Sequence, residues 1–219
     1  MTSRVANGST SRVTRATRWL ILTFVMLLAG NFAVWSMVAH DWLTQVRYTG
    51  SAQEEIDARR EAVREAPDSP AALLAAAYAY QQTGRYDDAL FTYDAVLELL
   101  PSETAALYNK GVILLKLGDT AAAEEALRAA LDANPGHALA AATLARQLVD
   151  YGEYEAVLEV VLPAAEKSPG AAELHYLAGV AHEKLGDSDA AEERYRLALA
   201  YYPDLREARE GLERLKVEP

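Results

Sequence analysis

Residues 101–135 read PSETAALYNKGVILLKLGDTAAAEEALRAALDANP, a stretch with a proline at each end and two glycines, of which Gly118 lies at its middle. The spacing of 34 residues between its prolines recurs along the chain. The prolines in this register are Pro67, Pro101, Pro135, Pro169 and Pro203, and the glycines are Gly50, Gly84, Gly118, Gly152 and Gly186. A fixed period of this length indicates a repeat architecture, in which each unit packs on its neighbours.

The chemistry of one period predicts a helical hairpin. The glycine supplies the turn that ends a first helix, and the proline stops the second helix. The second helix has an apolar face at helical spacing, beginning with a small residue where the two helices approach closely. That face comprises Ala89, Tyr93 and Val96, then Ala123, Leu127 and Ala130, then Val157, Val161 and Ala164, and finally Ala191, Tyr195 and Ala198.

These motifs resemble the tetratricopeptide repeat (TPR) family. The family signature is clearest at Leu107, Lys110-Gly111, Leu114, Ala123, Leu127, Ala130 and Pro135, although tryptophan is missing from its first position and Lys110 replaces the usual leucine. We predict four units within 70–205, namely 70–103, 104–137, 138–171 and 172–205. The resemblance implies an all-α, right-handed superhelix whose concave groove is lined mainly by the first helix of each unit.

The two ends of the array are predicted to be caps. Residues 40–69 read as a connecting helix or degenerate capping repeat, because Glu55 and Arg59 replace side chains that the other units bury. Its expected helix is Ala52–Ala66. Residues 206–219 read as a C-terminal capping helix, since the amphipathic stretch Asp204–Lys216 has its apolar side chains on one face.

Residues 19–39 contain no charged side chain and are long enough to span a bilayer, so we predict one transmembrane helix. The four arginines of the basic tail, residues 1–18, place the N-terminus in the cytoplasm by the positive-inside rule. The repeats are then extracytoplasmic, on the periplasmic side of the inner membrane if the chain is bacterial. A cleaved signal peptide and an organellar transit peptide are the alternatives.

Charge and composition argue against several classes of function. The net charge is −11, which disfavours nucleic-acid binding and favours a basic partner. No phosphate loop, nucleophile elbow or metalloprotease helix occurs, and there is no cysteine. The histidines are His40, His137, His175 and His182, without a recognisable metal-ligand set. We therefore predict no enzyme activity, no metal, no cofactor and no small-molecule substrate.

The resemblance instead predicts a peptide-binding groove for a protein or peptide partner. Projected from the family, it consists of Leu74, Tyr78, Gln81, Tyr108, Val112, Leu115, Lys116, Leu139, Arg146, Val149, Tyr176, Val180 and Lys184, with Asp150 and Glu183 beside them. Some of its apolar side chains could instead be core. The carboxylate clamp with which related proteins bind chaperone C-termini is absent, because Leu74, Tyr78, Leu139 and Thr143 occupy matching positions.

Three functions fit this pattern. The first is a membrane-anchored scaffold or assembly factor that holds a partner during biogenesis or organisation of an envelope complex. The second is an extracytoplasmic client-binding chaperone, such as one that presents apocytochromes for haem attachment or assists a translocon. The third is a constitutive structural subunit of a membrane complex. The sequence identifies neither the partner nor the complex.

Overall fold

The computed structural model describes residues 53–64, 66 and 68–216. Contacts divide the chain into two units, Met1–Glu54 and Glu55–Pro219, and the described residues lie almost wholly in the second. The predicted tail and transmembrane helix lie outside them, as do Gly50 and Pro67. Among the helices that are described, none is long and apolar enough to cross a membrane.

The described part of the chain is helical throughout, with no strand. Helix α1 covers residues 53–64. The helices that follow are α2 (Pro70–Gln82), α3 (Tyr86–Leu99), α4 (Thr104–Leu117), α5 (Thr120–Ala133), α6 (Ala138–Tyr151), α7 (Tyr154–Lys167), α8 (Ala172–Lys184), α9 (Ser188–Tyr201) and α10 (Arg206–Leu215). Starts of alternate helices from α2 to α9 are 34 residues apart, and each first helix packs on its own second helix. The predicted all-α array of hairpins is confirmed.

Local sequence explains the helix boundaries. The turns between first and second helices are made by Gly84, Gly118, Gly152 and Gly186, each with φ between 74° and 83°. Because a side chain is strained in this left-handed region, glycine is the residue that suits these turns. Side chains cap the starts of α2, α4, α5, α6 and α9, for example Asp119, whose Oδ1 accepts a hydrogen bond from the Ala122 amide at 3.2 Å.

The core lies between the helices of each hairpin and between successive hairpins. All twelve side chains of the predicted second-helix face are buried, including Tyr93 and Tyr195, which are fully inaccessible. Gly111 and Gly179 allow the first helices to approach Leu127 and Tyr195 respectively, where a Cβ would lie 2.8 Å and 2.6 Å from the nearest side-chain atom. The hairpins are therefore close-packed as the period predicts.

Helices α1 and α10 pack against the two ends of the array of hairpins. In α1, Ile56 is buried and Val63 packs against the core of the first hairpin. Glu55 and Arg59, the two atypical residues, are exposed and pair with each other one helical turn apart. In α10, Ala208 is buried and Leu205, Leu212 and Leu215 pack around it with the last hairpin.

Candidate peptide-binding surface

The first helices of successive hairpins are in lateral contact. Gln81 of α2 donates a hydrogen bond to Asn109 of α4 at 3.5 Å, and Arg146 of α6 pairs with Glu173 of α8. The Tyr108 ring of α4 lies 5.0 Å from the ring of His137, which caps α6. These contacts join the first helices into one surface, called the first-helix surface below and defined by the predicted groove residues.

Five of the predicted groove residues are exposed, and eight are partly buried. The exposed group is Tyr78, Lys116, Leu139, Arg146 and Lys184. The partly buried group is Leu74, Gln81, Tyr108, Val112, Leu115, Val149, Tyr176 and Val180. Neighbouring Asp150 is exposed and Glu183 is partly buried.

Two exposed apolar side chains distinguish this surface from an ordinary polar helix face. Tyr78 is 52% exposed and Leu139 is 60% exposed. Neither is needed to fill the hairpin core, which is completed by smaller residues at other positions of the same helices, such as Ala77 and Ala141. Exposed apolar area of this kind is a means of binding another apolar surface.

Most of the partly buried apolar residues contribute to the core as well. Leu74 packs against the core of the first hairpin, and Val180 against that of the last. Tyr108, Leu115 and Val149 pack against the central core in the same way. Each of these side chains therefore has one part in the core and one part on the surface, so the alternative that some groove positions are core is partly correct.

A cleft of about 500 Å³ lies at the C-terminal end of the first-helix surface. Two predicted residues, Arg146 and Tyr176, line it together with Glu173, Tyr202 and Glu207. Burial raises the pKa of the Tyr176 hydroxyl, and the charge of Glu207 raises it further. Tyr176 is therefore a neutral hydrogen-bonding group at neutral pH, beside carboxylates that would favour a basic side chain.

Sequence reasoning missed Glu173 and Glu207 as members of this surface. Both stand in the 34-residue register of Leu139, which was included. The signal is therefore present in the period, although the sequence pattern of α10 predicts only a cap. In the structure Glu173 and Glu207 line the same cleft, so α10 extends the first-helix surface by one more helix.

Glu183 is occupied by partners within the chain. Its carboxylate accepts hydrogen bonds from Arg214 Nε and Nη2 at 2.9 and 3.0 Å, and from the Tyr195 hydroxyl at 2.5 Å. The guanidinium of Arg214 is the main cause that holds the pKa of Glu183 below its ordinary value. Glu183 therefore fixes α10 and is not free to hold a partner.

The described histidines have structural roles. His137 accepts a hydrogen bond from the Ala140 amide at 3.0 Å, His175 lies 2.8 Å from the Pro169 carbonyl, and His182 lies 3.7 Å from Asp187. Within residues 53–64, 66 and 68–216, no group of three or more His, Cys, Asp or Glu side chains is arranged to hold a metal ion. His40 lies outside the described residues.

Comparisons with known proteins identify the repeats. Residues 74–138 and 172–205 match family models described as tetratricopeptide repeat, so the chain contains TPRs. No protein of curated function matches it.

Similar solved structures include MamA, 24% identical over 72% of this chain and 92% of that chain, with a TM-score of 0.61. YrrB, described as a TPR protein with an unusual peptide-binding site, is 20% identical over 78% of this chain and 88% of that chain, with a TM-score of 0.59. The C-terminal part of a TPR repeat-containing protein from Cytophaga hutchinsonii is 16% identical over 76% of this chain and 66% of that chain, with a TM-score of 0.62. These likenesses show a shared fold.

Proposed function

We propose that the chain is a non-enzymatic scaffold or assembly factor that binds an apolar segment of a protein partner on its first-helix surface. Residues 19–39 anchor it in a membrane, with the N-terminus in the cytoplasm and the repeats on the extracytoplasmic side. There it acts in the biogenesis or organisation of an envelope complex. The function rests on protein binding, which is the general use of TPR arrays.

The exposure of Tyr78 and Leu139 is the observation that supports this proposal most directly. An extended or helical peptide gains affinity by covering such side chains, and the polar groups beside them fix its direction. The fold shared with YrrB, which is described as having a peptide-binding site, supports the same kind of partner.

Site-specific photocross-linking from the first-helix surface tests this function. A photoreactive amino acid is placed at Leu139 in the full chain in its native membrane, and captured proteins are identified by mass spectrometry. The matched control position is Glu125, which is also exposed but belongs to a second helix. We expect one dominant partner from position 139 that is lost in the Tyr78→Ala variant and absent from position 125.

Other outcomes separate the alternatives. A wide range of unfolded secretory clients at position 139 would indicate a chaperone, and a partner that co-purifies stoichiometrically in every condition would indicate a structural subunit. Adducts from position 125 alone would overturn binding at the first-helix surface.

Membrane topology is tested independently through the absence of cysteine. Single substitutions Ser11→Cys and Glu193→Cys are labelled in intact spheroplasts with a membrane-impermeant maleimide. We expect labelling of position 193 before lysis and of position 11 only after it. The reverse pattern would place the repeats in the cytoplasm, and full extraction by alkaline carbonate would show that residues 19–39 are not an anchor.

A further inference from the structure

A second cleft, of about 360 Å³, opens between α1, α2 and α3, away from the residues of the first-helix surface. Its floor is formed by Leu73, Ala76 and Thr92, all buried. The floor behaves as apolar because the Thr92 hydroxyl already donates a hydrogen bond to the Asp88 carbonyl at 2.7 Å. We call this opening the α1–α3 cleft. Its volume is within the range of sites that bury a large side chain or small ligand.

The rim of the α1–α3 cleft combines an aromatic ring with two cations. Phe91 is 79% exposed, the highest exposure among the large apolar side chains of the described residues. Arg60 and Arg64 are the charged groups of the lining, which includes no carboxylate. Outside the lining, Arg60 pairs with Asp57 at 3.8 Å and Arg64 with Glu61 at 3.1 Å, and both pairs are exposed. Arg60 is held in place because its Nε donates a hydrogen bond to the Tyr80 hydroxyl at 2.8 Å.

The repeat itself shows that this rim is unusual. Phe91 stands in the same register as Glu125, Glu159 and Glu193, and Arg64 in the same register as three further acids. Those three are Glu98, Asp132 and Glu166. An exposed phenylalanine and an arginine thus replace carboxylates at equivalent positions, and no packing requirement explains the change, since both side chains lie largely in solvent.

An internal comparison is available two repeats further on. There a cleft of about 380 Å³ is lined by Asp132 and Glu159, at the positions of Arg64 and Phe91, and by Arg128 at the position of Arg60. The two clefts have similar volumes and equivalent positions in the repeat. Their rims differ because the first has a cation and an aromatic ring where the later one has two carboxylates. The later cleft therefore serves as a built-in control for the first.

We propose that the α1–α3 cleft is a second binding site, which takes an acidic peptide segment carrying one aromatic or long aliphatic side chain. The apolar side chain inserts over Leu73 and Ala76 against the ring of Phe91. Flanking carboxylates of the peptide pair with Arg60 and Arg64, of which Arg64 is held only by an exposed pair with Glu61 at 3.1 Å. This site is separate from the first-helix surface and does not depend on the function assigned to it.

Charge complementarity selects this occupant. A carboxylate-bearing segment meets cations at the rim, whereas Asp87 and Asp88 at the start of α3 and Glu61 on α1 would repel a flat anionic lipid surface. A concave apolar floor is suited to a single inserted side chain, the usual anchor of a small interface.

Fluorescence anisotropy with defined peptides tests the site on the full chain in detergent micelles. The probe is a labelled heptapeptide with a central tryptophan flanked on each side by two acidic residues; its controls carry lysines for the acids or alanine for the tryptophan. We expect the acidic tryptophan peptide to bind and both control peptides to bind at least about tenfold more weakly.

Two variants connect binding to the cleft. Phe91→Glu and Arg64→Glu each install a side chain of the kind that the other repeats carry in the same register, so the fold is expected to tolerate them. We expect Phe91→Glu to weaken binding at least about tenfold and Arg64→Glu about fivefold, the latter with a reduced dependence on salt. The matched variant Glu159→Phe alters the later cleft and should bind the peptide as the parent chain does.

The proposal is overturned if the lysine peptide binds equally well, if Phe91→Glu binds normally, or if no peptide binds. Two further assays assign other occupants. Flotation with phosphatidylglycerol vesicles that depends on Phe91, without peptide binding, would assign the surface to lipid. Self-association in sedimentation that is lost in Phe91→Glu, again without peptide binding, would assign it to a second copy of the chain.

Discussion

The first and last hairpins are packed around the same kind of residue but differ in how their outer ends are covered. Each has a buried tyrosine on its second helix, Tyr93 or Tyr195, where the two central hairpins have Leu127 and Val161. Each tyrosine donates a hydrogen bond to a first-helix side chain twelve residues earlier. The acceptor is the Gln81 amide at 2.7 Å in one case and the Glu183 carboxylate at 2.5 Å in the other.

The charged acceptor, Glu183, also binds the C-terminal cap, whereas the neutral acceptor, Gln81, binds the next hairpin. Glu183 also accepts two hydrogen bonds from Arg214 of α10, and the Tyr195 ring lies against both Gly179 of α8 and Gly211 of α10. Gln81 instead donates to Asn109 of the next first helix. The C-terminal end is thus closed by direct contact between cap and buried tyrosine, whereas at the other end of the described residues the α1–α3 cleft is open. A sealed end stabilises the array, and an open end is available for binding.

Making the last hairpin resemble the first should have the largest effect on stability. Gly179 is in the register of Ala77, and its Cβ would lie 2.6 Å from Tyr195 Cδ1. Because the Tyr195 ring is packed between Gly179 and Gly211, Gly179→Ala should destabilise the chain by about 1–3 kcal/mol. It should do so although alanine is favoured over glycine by about 1 kcal/mol in a helix. Chemical denaturation measures the change in the free energy of unfolding, and hydrogen exchange shows which helices lose protection.

Two controls separate packing from helix propensity. Ala77→Gly in the first hairpin should cost about 1 kcal/mol through propensity and about 0.8 kcal/mol more through the buried methyl group that it removes. Gly170→Ala adds a Cβ whose nearest neighbour, Tyr201 Cδ1, is 4.0 Å away, and should leave stability within about 0.5 kcal/mol. A Gly179→Ala variant as stable as the parent chain would show that the ring contact is not tight.

The two arginines that join the caps to the hairpins, Arg214 and Arg60, should contribute differently to the free energy of unfolding. Arg214→Met leaves the carboxylate of Glu183, which is 12% exposed, without its cation, and should cost about 1–2 kcal/mol, between the values for buried and surface ion pairs. Arg60→Met removes a partly buried hydrogen bond to Tyr80 and an exposed ion pair with Asp57, and should lower the free energy of unfolding by less than Arg214→Met does. Equal effects of both changes would contradict the distinction between a sealed and an open end.

A second substitution should recover part of the loss in Arg214→Met. Glu183→Gln provides an uncharged acceptor for the Tyr195 hydroxyl, as Gln81 does for Tyr93 in the first hairpin. The double variant should therefore be more stable than Arg214→Met alone, since no unpaired carboxylate is left beside the core. No recovery would mean that Arg214 acts through packing of its aliphatic stem instead.

The sequence predicts the repetitive parts of this molecule better than its exceptions. Proline and glycine at one period of 34 residues predict every hairpin from α2 to α9, and the second-helix face follows from the same period because each unit has the same neighbours. The contact between Gly211 and Tyr195 joins two elements through tertiary packing, which a local pattern does not encode. The same applies to Arg214 and Glu183, 31 residues apart.

The candidate sites show the same limit. The positions of the first-helix surface could be projected from the period, but how deeply Leu74 or Val149 is buried depends on the packing of the next helix. For the α1–α3 cleft, phenylalanine in a register of glutamates was visible in the sequence. The opening itself depends on how α1 packs against the first hairpin, and Glu55 and Arg59 make α1 atypical among the second helices of the units.

The smallest expected effect is a difference in acid sensitivity between the two ends. Arg214 holds the pKa of Glu183 below its ordinary value of 4.5, so the paired carboxylate stabilises the fold fully above pH 4.5 and loses that contribution as the pH falls through the lowered pKa. Gln81 does not titrate. Hydrogen exchange between pH 6 and pH 3 should therefore show α9 and α10 losing protection before α2 and α3. Other carboxylates also titrate in this range, so the test compares the loss of protection in α10 between the parent chain and Glu183→Gln. The variant should be less stable than the parent at pH 6. It should then lose less protection in α10 on acidification. Identical pH dependence in the two chains would show that the pair with Arg214 does not contribute to closing the C-terminal end.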